Sequence, residues 1–267
     1  MTHWKSYHLL SESFVDADDA PASLLPWAVE RVVHGLIDHD TYSMVVAQAA
    51  ARHNAMQRAE QRMRLLLSLD ANPVASLMRT ATDTGTFQLR WNGFNRMEPL
   101  GVETQFFNDA MPRLQRERRK PGFHDEMRDE IGTICIAHLL AENSDSPPHV
   151  DTALLLPWLV GELAHDNWAI RDSVDALCEN PFAELDDCAA AAGCSRRTLQ
   201  RAFMRAGLSF RLLRQAVRIT RAGQAMRNGD FSLTEIAHAS GFFDSAHFAH
   251  AWQQSCGLTP SQYRSLC

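Results

Sequence analysis

The sequence has no long hydrophobic run. Its longest apolar stretch, Leu154–Val160, is about seven residues, and a membrane-spanning helix needs ~20, so no transmembrane segment is expected. The opening MTHWKSYHLLSESF lacks the basic start and apolar block of a secretory leader, so the chain is expected to stay in the cytoplasm. The six cysteines are scattered, with no C-x-x-C pair, and read as reduced, partly buried thiols rather than a disulfide framework. No nucleophile elbow, phosphate-binding glycine loop or H-E-x-x-H helix occurs, and His34, His39 and His53 form no convincing ligand pair. These absences argue against an enzyme, and neither a cofactor nor a metal is expected. The ordinary proportions of hydrophobic (45%) and charged (22%) residues exclude a disordered or collagen-like chain.

The net charge of −6 conceals an asymmetry. Residues 181–267 hold ten Arg against six acids, a balance of +4, while the other 180 residues hold 16 basic and 26 acidic groups, a balance of −10. A basic C-terminal third on an acidic body suggests a polyanion-binding module joined to something else.

Up to residue 180 the pattern is mostly helical. Pro26 opens a helix expected over 26–38, with Trp27, Val32 and Leu36 as its stripe. One long helix is expected over 42–69, with Met44, Ala47, Ala51, Met56, Ala59, Met63, Leu66 and Leu67 on one side, and a short one from Pro73 to about Thr80. Between Thr86 and Phe107 the period changes. Phe87, Leu89 and Trp91 alternate with polar residues, Asn92-Gly93 offers a turn, and Val102, Thr104 and Phe106 alternate again, which predicts a small hairpin. Helical periodicity returns at 108–119, 124–142, 150–165 and 167–179. The basic run RLQRERRK at 113–120, followed by Pro121-Gly122, reads as a solvated helix end rather than a nucleic-acid patch. The segment ENSDSPPH at 142–149 is the best linker candidate.

The C-terminal third repeats itself. Ala189, Gly193, Leu199 and Phe203 are separated by four, six and four positions; Ala237, Gly241, Phe248 and Trp252 by four, seven and four. Each set describes a helix with a small residue near its end, a glycine turn, and a second helix with an inward i, i+4 apolar pair, and the two differ by one inserted turn residue. A small alanine lets helices cross closely and glycine tolerates a left-handed turn, so the pattern is that of a helix-turn-helix. Ser195 is placed to cap the second helix of the first unit, and Asp244 or Ser245 that of the second. Between the units, Leu212, Ala216, Ile219, Gly223 and Met226 form one helical stripe over Phe210–Arg227. Such a helix spans ~27 Å at ~1.5 Å per residue, near the ~34 Å between successive major grooves on one face of DNA.

These residues carry a resemblance. The strings GCSRRTLQRAF (193–203), GLSF (207–210), RITRA (218–222), SLTEIAHASGF (232–242) and the closing HFAHAWQQSCGLTPSQYR (247–264) resemble the double helix-turn-helix domain of the AraC/XylS family of bacterial transcription regulators. The resemblance covers about eighty residues, 185–264; the part before it shows no match to the family's strand-rich sugar-binding domain.

With Leu199 and Phe203 turned inward, Arg196, Arg197, Gln200 and Arg201 point outward or flank the seam. The resemblance puts Arg197, Gln200 and Arg201 at positions that meet base edges or nearby phosphates, where Arg can bridge guanine O6 and N7 and Gln can pair with adenine. The second recognition helix, SAHFAHAW from Ser245, departs from the family. It has His250 where arginine is usual, and otherwise offers Ser245 and His247 as donors. That implies base reading mainly by the first unit, with the second positioned on phosphates and DNA shape. His247 and His250 lack a third metal ligand.

The fold class expected is therefore mainly α: a regulatory or dimerisation domain over 1–170, mostly helical with a small β-hairpin, then a DNA-binding domain over 171–267 of two helix-turn-helix units and a linker helix. The partner expected is double-stranded DNA, with RNA polymerase, a small-molecule effector and a second copy as further candidates, and no membrane. Trp27, Trp91, Trp158 and Trp168 could help line a pocket for an apolar or aromatic effector, although each alone reads more simply as core. The alternative is a protein-binding anti-regulator with a degenerate DNA domain.

Overall fold

The computed structural model describes residues 5–15, 24–97, 102–106, 114–118, 125–145, 152–229 and 231–267. Among these the architecture is helical with two small two-stranded antiparallel sheets. Strand β1 (Lys5–Tyr7) pairs with β2 (Leu36–Asp38), Lys5 opposite Asp38 and Tyr7 opposite Leu36. Around them lie α1 (His8–Glu12), α2 (Leu24–Val33), α3 (His39–Ala50), α4 (Ala55–Ser68), α5 (Pro73–Arg79) and α6 (Thr84–Met97). Strand β3 (Val102–Phe106) pairs with β4 (Leu114–Arg118), and α7 (Asp125–Asp145), α8 (Thr152–Leu163) and α9 (Trp168–Glu179) lead to the C-terminal region.

Several local expectations give way to packing. The helix expected over 26–38 stops at Val33, because Gly35 enters a crowded site: a Cβ there would lie 2.5 Å from both the Asn72 amide and the Ser255 carbonyl. Leu36–Asp38 becomes a strand instead. The long helix over 42–69 breaks into α3 and α4 at Asn54, which takes the left-handed conformation (φ 56°) that asparagine tolerates. The two halves bury different faces. Tyr42, Val46 and Ala49 are inside in α3 while Met44 is 60% exposed, so no single stripe runs through both.

The hairpin is half right. Val102–Phe106 is a strand, but its partner is Leu114–Arg118, and Phe87–Trp91 belongs to α6. Phe87 and Trp91 stack at i, i+4, Leu89 between them is 70% exposed, and Asp83 accepts the Thr86 amide at the helix start. Asn92-Gly93 is mid-helix rather than a turn; a Cβ on Gly93 would lie 2.5 Å from the Leu266 side chain. The basic run at 113–120 is thus strand over 114–118, not a helix end, because pairing with β3 overrides the local pattern. Residues 108–113 and 119 of the helix expected at 108–119, and residues 146–149 of the proposed linker, lie outside the described residues; Glu142–Asp145 are the end of α7.

One buried apolar cluster runs from Leu9 to Tyr263, so the N-terminal helices and the C-terminal region share a core. Polar contacts stitch this seam. Helix α2 ends with open carbonyls, as helices do, and side chains from elsewhere satisfy them: Asn72 Nδ2 donates to Arg31 O (3.0 Å), and Ser255 Oγ to Val32 O (2.5 Å). Asn72 also donates to Ser255 O (3.1 Å), which accepts the Gly35 amide as well. Nearby, the buried Tyr263 hydroxyl donates to Pro73 O (2.8 Å), and Arg90 donates to the carbonyls of Leu266 and Cys267.

Candidate nucleic-acid interface

The two units form as the repeat predicts. In the first, α10 (Leu185–Ala191) turns at Gly193 (φ 58°) into α11 (Arg196–Arg205). In the second, α13 (Leu233–Ala239) turns at Gly241 (φ 89°) into α14 (Ser245–Cys256), and α15 (Pro260–Arg264) follows. Ser195 caps α11 through the Thr198 amide (3.1 Å), and Asp244, the better of the two candidates, caps α14 through the His247 amide (2.7 Å). Leu199 and Phe203 in α11, and Phe248, Ala251 and Trp252 in α14, are buried. The connector is one helix, α12 (Phe210–Asn228), with Ala216, Ile219, Gly223 and Met226 buried. Leu212 is only half-buried, and Leu213, Val217, Thr220 and Ala222 are buried too, because α12 also packs against α2 and α8. At 19 residues and ~1.5 Å per residue it is ~28 Å long.

The two turns superpose residue by residue in their hydrogen bonds. Cys194 N donates to Ala189 O and Phe242 N to Ala237 O, both at 2.9 Å. Phe242 therefore corresponds to Cys194. The first unit goes from Cys194 straight to its cap, Ser195, whereas the second has Phe243 between Phe242 and its cap, Asp244. Phe243 is the inserted residue, and it is 84% exposed.

Residues 188–265 match the helix-turn-helix domain family. The match is to a helix-turn-helix of the AraC type and is confined to the C-terminal region. Among relatives, the chain is 31% identical over 124 residues to the HTH-type transcriptional activator RhaR of Escherichia coli (strain K12), and equally to that of Shigella flexneri serotype 5b. Each alignment takes in 46% of this chain and 40% of the relative, so the chain spans about two fifths of the curated relatives it matches. Among solved structures, ToxT from Vibrio cholerae aligns at 18% identity and TM-score 0.36, covering 57% of this chain and 58% of that one. A fatty-acid-bound form of ToxT aligns at 16% and 0.35, covering 57% and 56%.

Within this helix-turn-helix region the basic residues divide into two sets. Arg214 pairs with Glu184 (2.5 Å), Arg218 donates to Pro181 O, Arg221 to Cys178 O, Arg227 to the Tyr263 hydroxyl and Arg264 to Phe231 O. These hold the fold, and burial lowers the Arg218 pKa. Arg196 is exposed but tied to Asp186 at 2.6 Å. Arg197, Gln200 and Arg201 are exposed, with no side-chain partner among the described residues, and stand together on the outer side of α11. Arg201 and Arg205 also border a groove of about 460 Å³ between α11 and the α8–α9 turn, against Asp166, Asn167 and Trp168.

On α14 the predicted residues are exposed but mostly engaged locally. Ser245 Oγ lies 3.3 Å from Thr234 Oγ1, the His247 ring meets the Phe242 ring edge-on at 5.4 Å, and Gln254 Nε2 lies 3.0 Å from His250 Nε2. Among the described residues no cluster of three or more His, Cys, Asp or Glu could hold a metal ion.

In the N-terminal region, Tyr7, Tyr42, Met78, Trp91, Phe94 and Arg128 help line a cleft of about 50 Å³, the room of a few waters. Trp27 is buried core, while Trp158 and Trp168 are exposed. The Arg128 guanidinium lies 2.9 Å from His39 Nε2 and over the Tyr42 ring. The Tyr7 hydroxyl donates to Asp70, and burial pushes both pKa values up. Of the four tryptophans named for a pocket, only Trp91 lines this cleft; sequence reasoning missed its other walls and Phe243. The gap of seven against six marks the insertion, and no local pattern marks the cleft.

Proposed function

We propose that the chain is a sequence-specific DNA-binding transcription regulator of the AraC type, binding two successive major grooves with α11 and α14. One observation carries the reading: two capped recognition helices follow two glycine turns, and a single helix of ~28 Å joins the units. Arg197, Gln200 and Arg201 take base edges and adjacent phosphates in the first groove. Arg196 takes phosphate from its place beside Asp186. Ser245, His247 and His250 set the second unit on phosphates and DNA shape.

On this reading residues 171–267 are the DNA-binding domain and 1–170 the regulatory one. An effector enters the cleft beside Tyr7 and Arg128 only if the cleft opens, since ordinary ligand sites measure ~300–1,000 Å³. Its signal has a short route to the DNA: Tyr7 bonds Asp70, Asp70 accepts the Asn72 amide, and Asn72 bonds Ser255 of α14. RNA polymerase and a second copy are partners this function would call for.

The poverty of cations on α14 favours a second reading, an anti-regulator that binds another protein. Selection of genomic fragments by the purified chain, followed by a salt titration, separates the two. A DNA reader enriches discrete sites and loses affinity steeply with salt, log K falling by ~0.9 per phosphate contact for each unit of log salt. No enrichment, with a flat salt response, overturns the proposal and leaves the anti-regulator.

A further inference from the structure

The feature that the two-unit scheme leaves unused is Phe243. Large aromatic side chains are ordinarily buried for their apolar area, yet this one is 84% exposed. It is also the one residue by which the second turn exceeds the first. The matching hydrogen bonds from Cys194 and Phe242 fix the correspondence up to Phe242, and the caps Ser195 and Asp244 fix it afterwards. The insertion therefore adds nothing to the core. It places a phenyl ring at the leading end of α14, and the N-terminal residues of a recognition helix are those that meet base edges in the major groove.

What surrounds it decides its partner. The first turn of α14 offers Ser245, Ala246 and His247, all exposed and none with a long cationic fork. In the major groove the one apolar group a base pair presents is the C5-methyl of thymine, and Ala and Phe are among the side chains that contact it. We infer that Phe243, flanked by Ala246, is a specificity-determining residue that reads a thymine methyl in the second half of the site. The second unit then discriminates bases by apolar contact where the first uses guanidinium and amide forks. This rests on the DNA-reading function proposed above, and it refines the role of α14 from positioning alone to reading one methyl.

The test is methyl deletion in the DNA crossed with ring deletion in the protein. Duplexes enriched by the full chain are resynthesised with deoxyuridine in place of each thymine in turn, which removes one methyl and keeps every hydrogen bond. Wild-type protein should lose about fourfold in affinity at one thymine in the second half of the site, the worth of one buried methyl-sized group. Phe243→Ala should bind thymine and uracil duplexes equally at that position, Phe243→Leu should keep part of the preference, and Arg201→Ala should keep all of it. Because Phe243 is exposed, the variants should melt with the wild type, and a melt of each checks this.

Failure of wild-type protein to enrich any duplex overturns the function and this inference together. Enrichment with no uracil-sensitive thymine in the second half overturns the inference alone. So does a sensitivity that survives in both Phe243→Ala and Phe243→Ser.

Discussion

Replacing Asn72 with alanine tests how firmly the N-terminal region is bound to the second helix-turn-helix unit. Asn72 is buried and acts at both ends of its side chain. Its Oδ1 caps α5 through the Val74 amide at 2.9 Å, and its Nδ2 reaches Arg31 O and Ser255 O. Loss of an N-cap costs ~1 kcal/mol. Ser255 O keeps the Gly35 amide. Arg31 O faces a harder loss, because the Gly35 amide that would close its helical turn is spent on Ser255. A buried carbonyl without a donor costs ~1–3 kcal/mol. The expected total is about 2–4 kcal/mol, or a fall in Tm of roughly 6–12 °C for a chain of this size. Asn72→Ser, which can cap but cannot reach the carbonyls, should recover about 1 kcal/mol of that loss. Ser255→Ala should couple to Asn72→Ala rather than add to it, since both serve the same helix end. Thermal and urea melts of the three single variants and the double variant give these values. An Asn72→Ala midpoint within 2 °C of wild type, roughly the measuring error against a loss of that size, or strict additivity with Ser255→Ala, would refute the reasoning.

Three further expectations follow from the same contacts. Arg201→Ala should cost ~1–3 kcal/mol of DNA binding and relax specificity in one half of the site, while His250→Ala costs less and weakens all sequences about equally; competition against single-base operator variants measures both, and the reverse ranking overturns the division of labour. Ile219→Asp places a carboxylate on a fully buried face of α12, at a cost of several kcal/mol, enough to abolish cooperative unfolding; an unchanged melting midpoint counts against it. Burial pushes the Cys178 and Cys188 thiols up to about 11, which leaves on the order of one thiolate in a thousand at pH 8. Both should resist a thiol reagent until the chain unfolds, and rapid labelling of Cys188 in the folded protein would contradict its placement.

The C-terminal region was legible because its signals are local and mutually consistent. Glycine turns, caps three residues before an amide, and i, i+4 apolar pairs all sit within twenty residues of one another. The same reasoning misplaced α6. Phe87, Leu89 and Trp91 satisfy a two-residue period as easily as Phe87, Trp91 and Phe94 satisfy a helical one, and only the Asp83–Thr86 cap distinguishes them. The break at Asn54 and the early end of α2 at Val33 answer to partners far along the chain, and a pattern read in short windows has no access to Ser255 when it reaches Gly35. The candidate DNA-facing residues on α11 could be listed from the sequence, but which arginines stay available could not. Arg214, Arg218 and Arg221 look equally basic in a string and prove to be spent on backbone and carboxylate partners of their own.

The seam at Ser255 bears on how such a protein can change its target over time. The inner side of α14 is held by Trp252, Ser255 and Cys256 against helices from the other end of the chain, so a mutation that re-aims this helix must be accommodated by Asn72, Gly35 and the end of α2 at once. The outer residues of α11 carry no such obligation. Arg197, Gln200 and Arg201 can be exchanged one at a time at little cost in stability. Divergence of operator preference among descendants of this chain should therefore come from exchange of exposed side chains, those of α11 and Phe243 among them, and leave the placement of α14 nearly fixed.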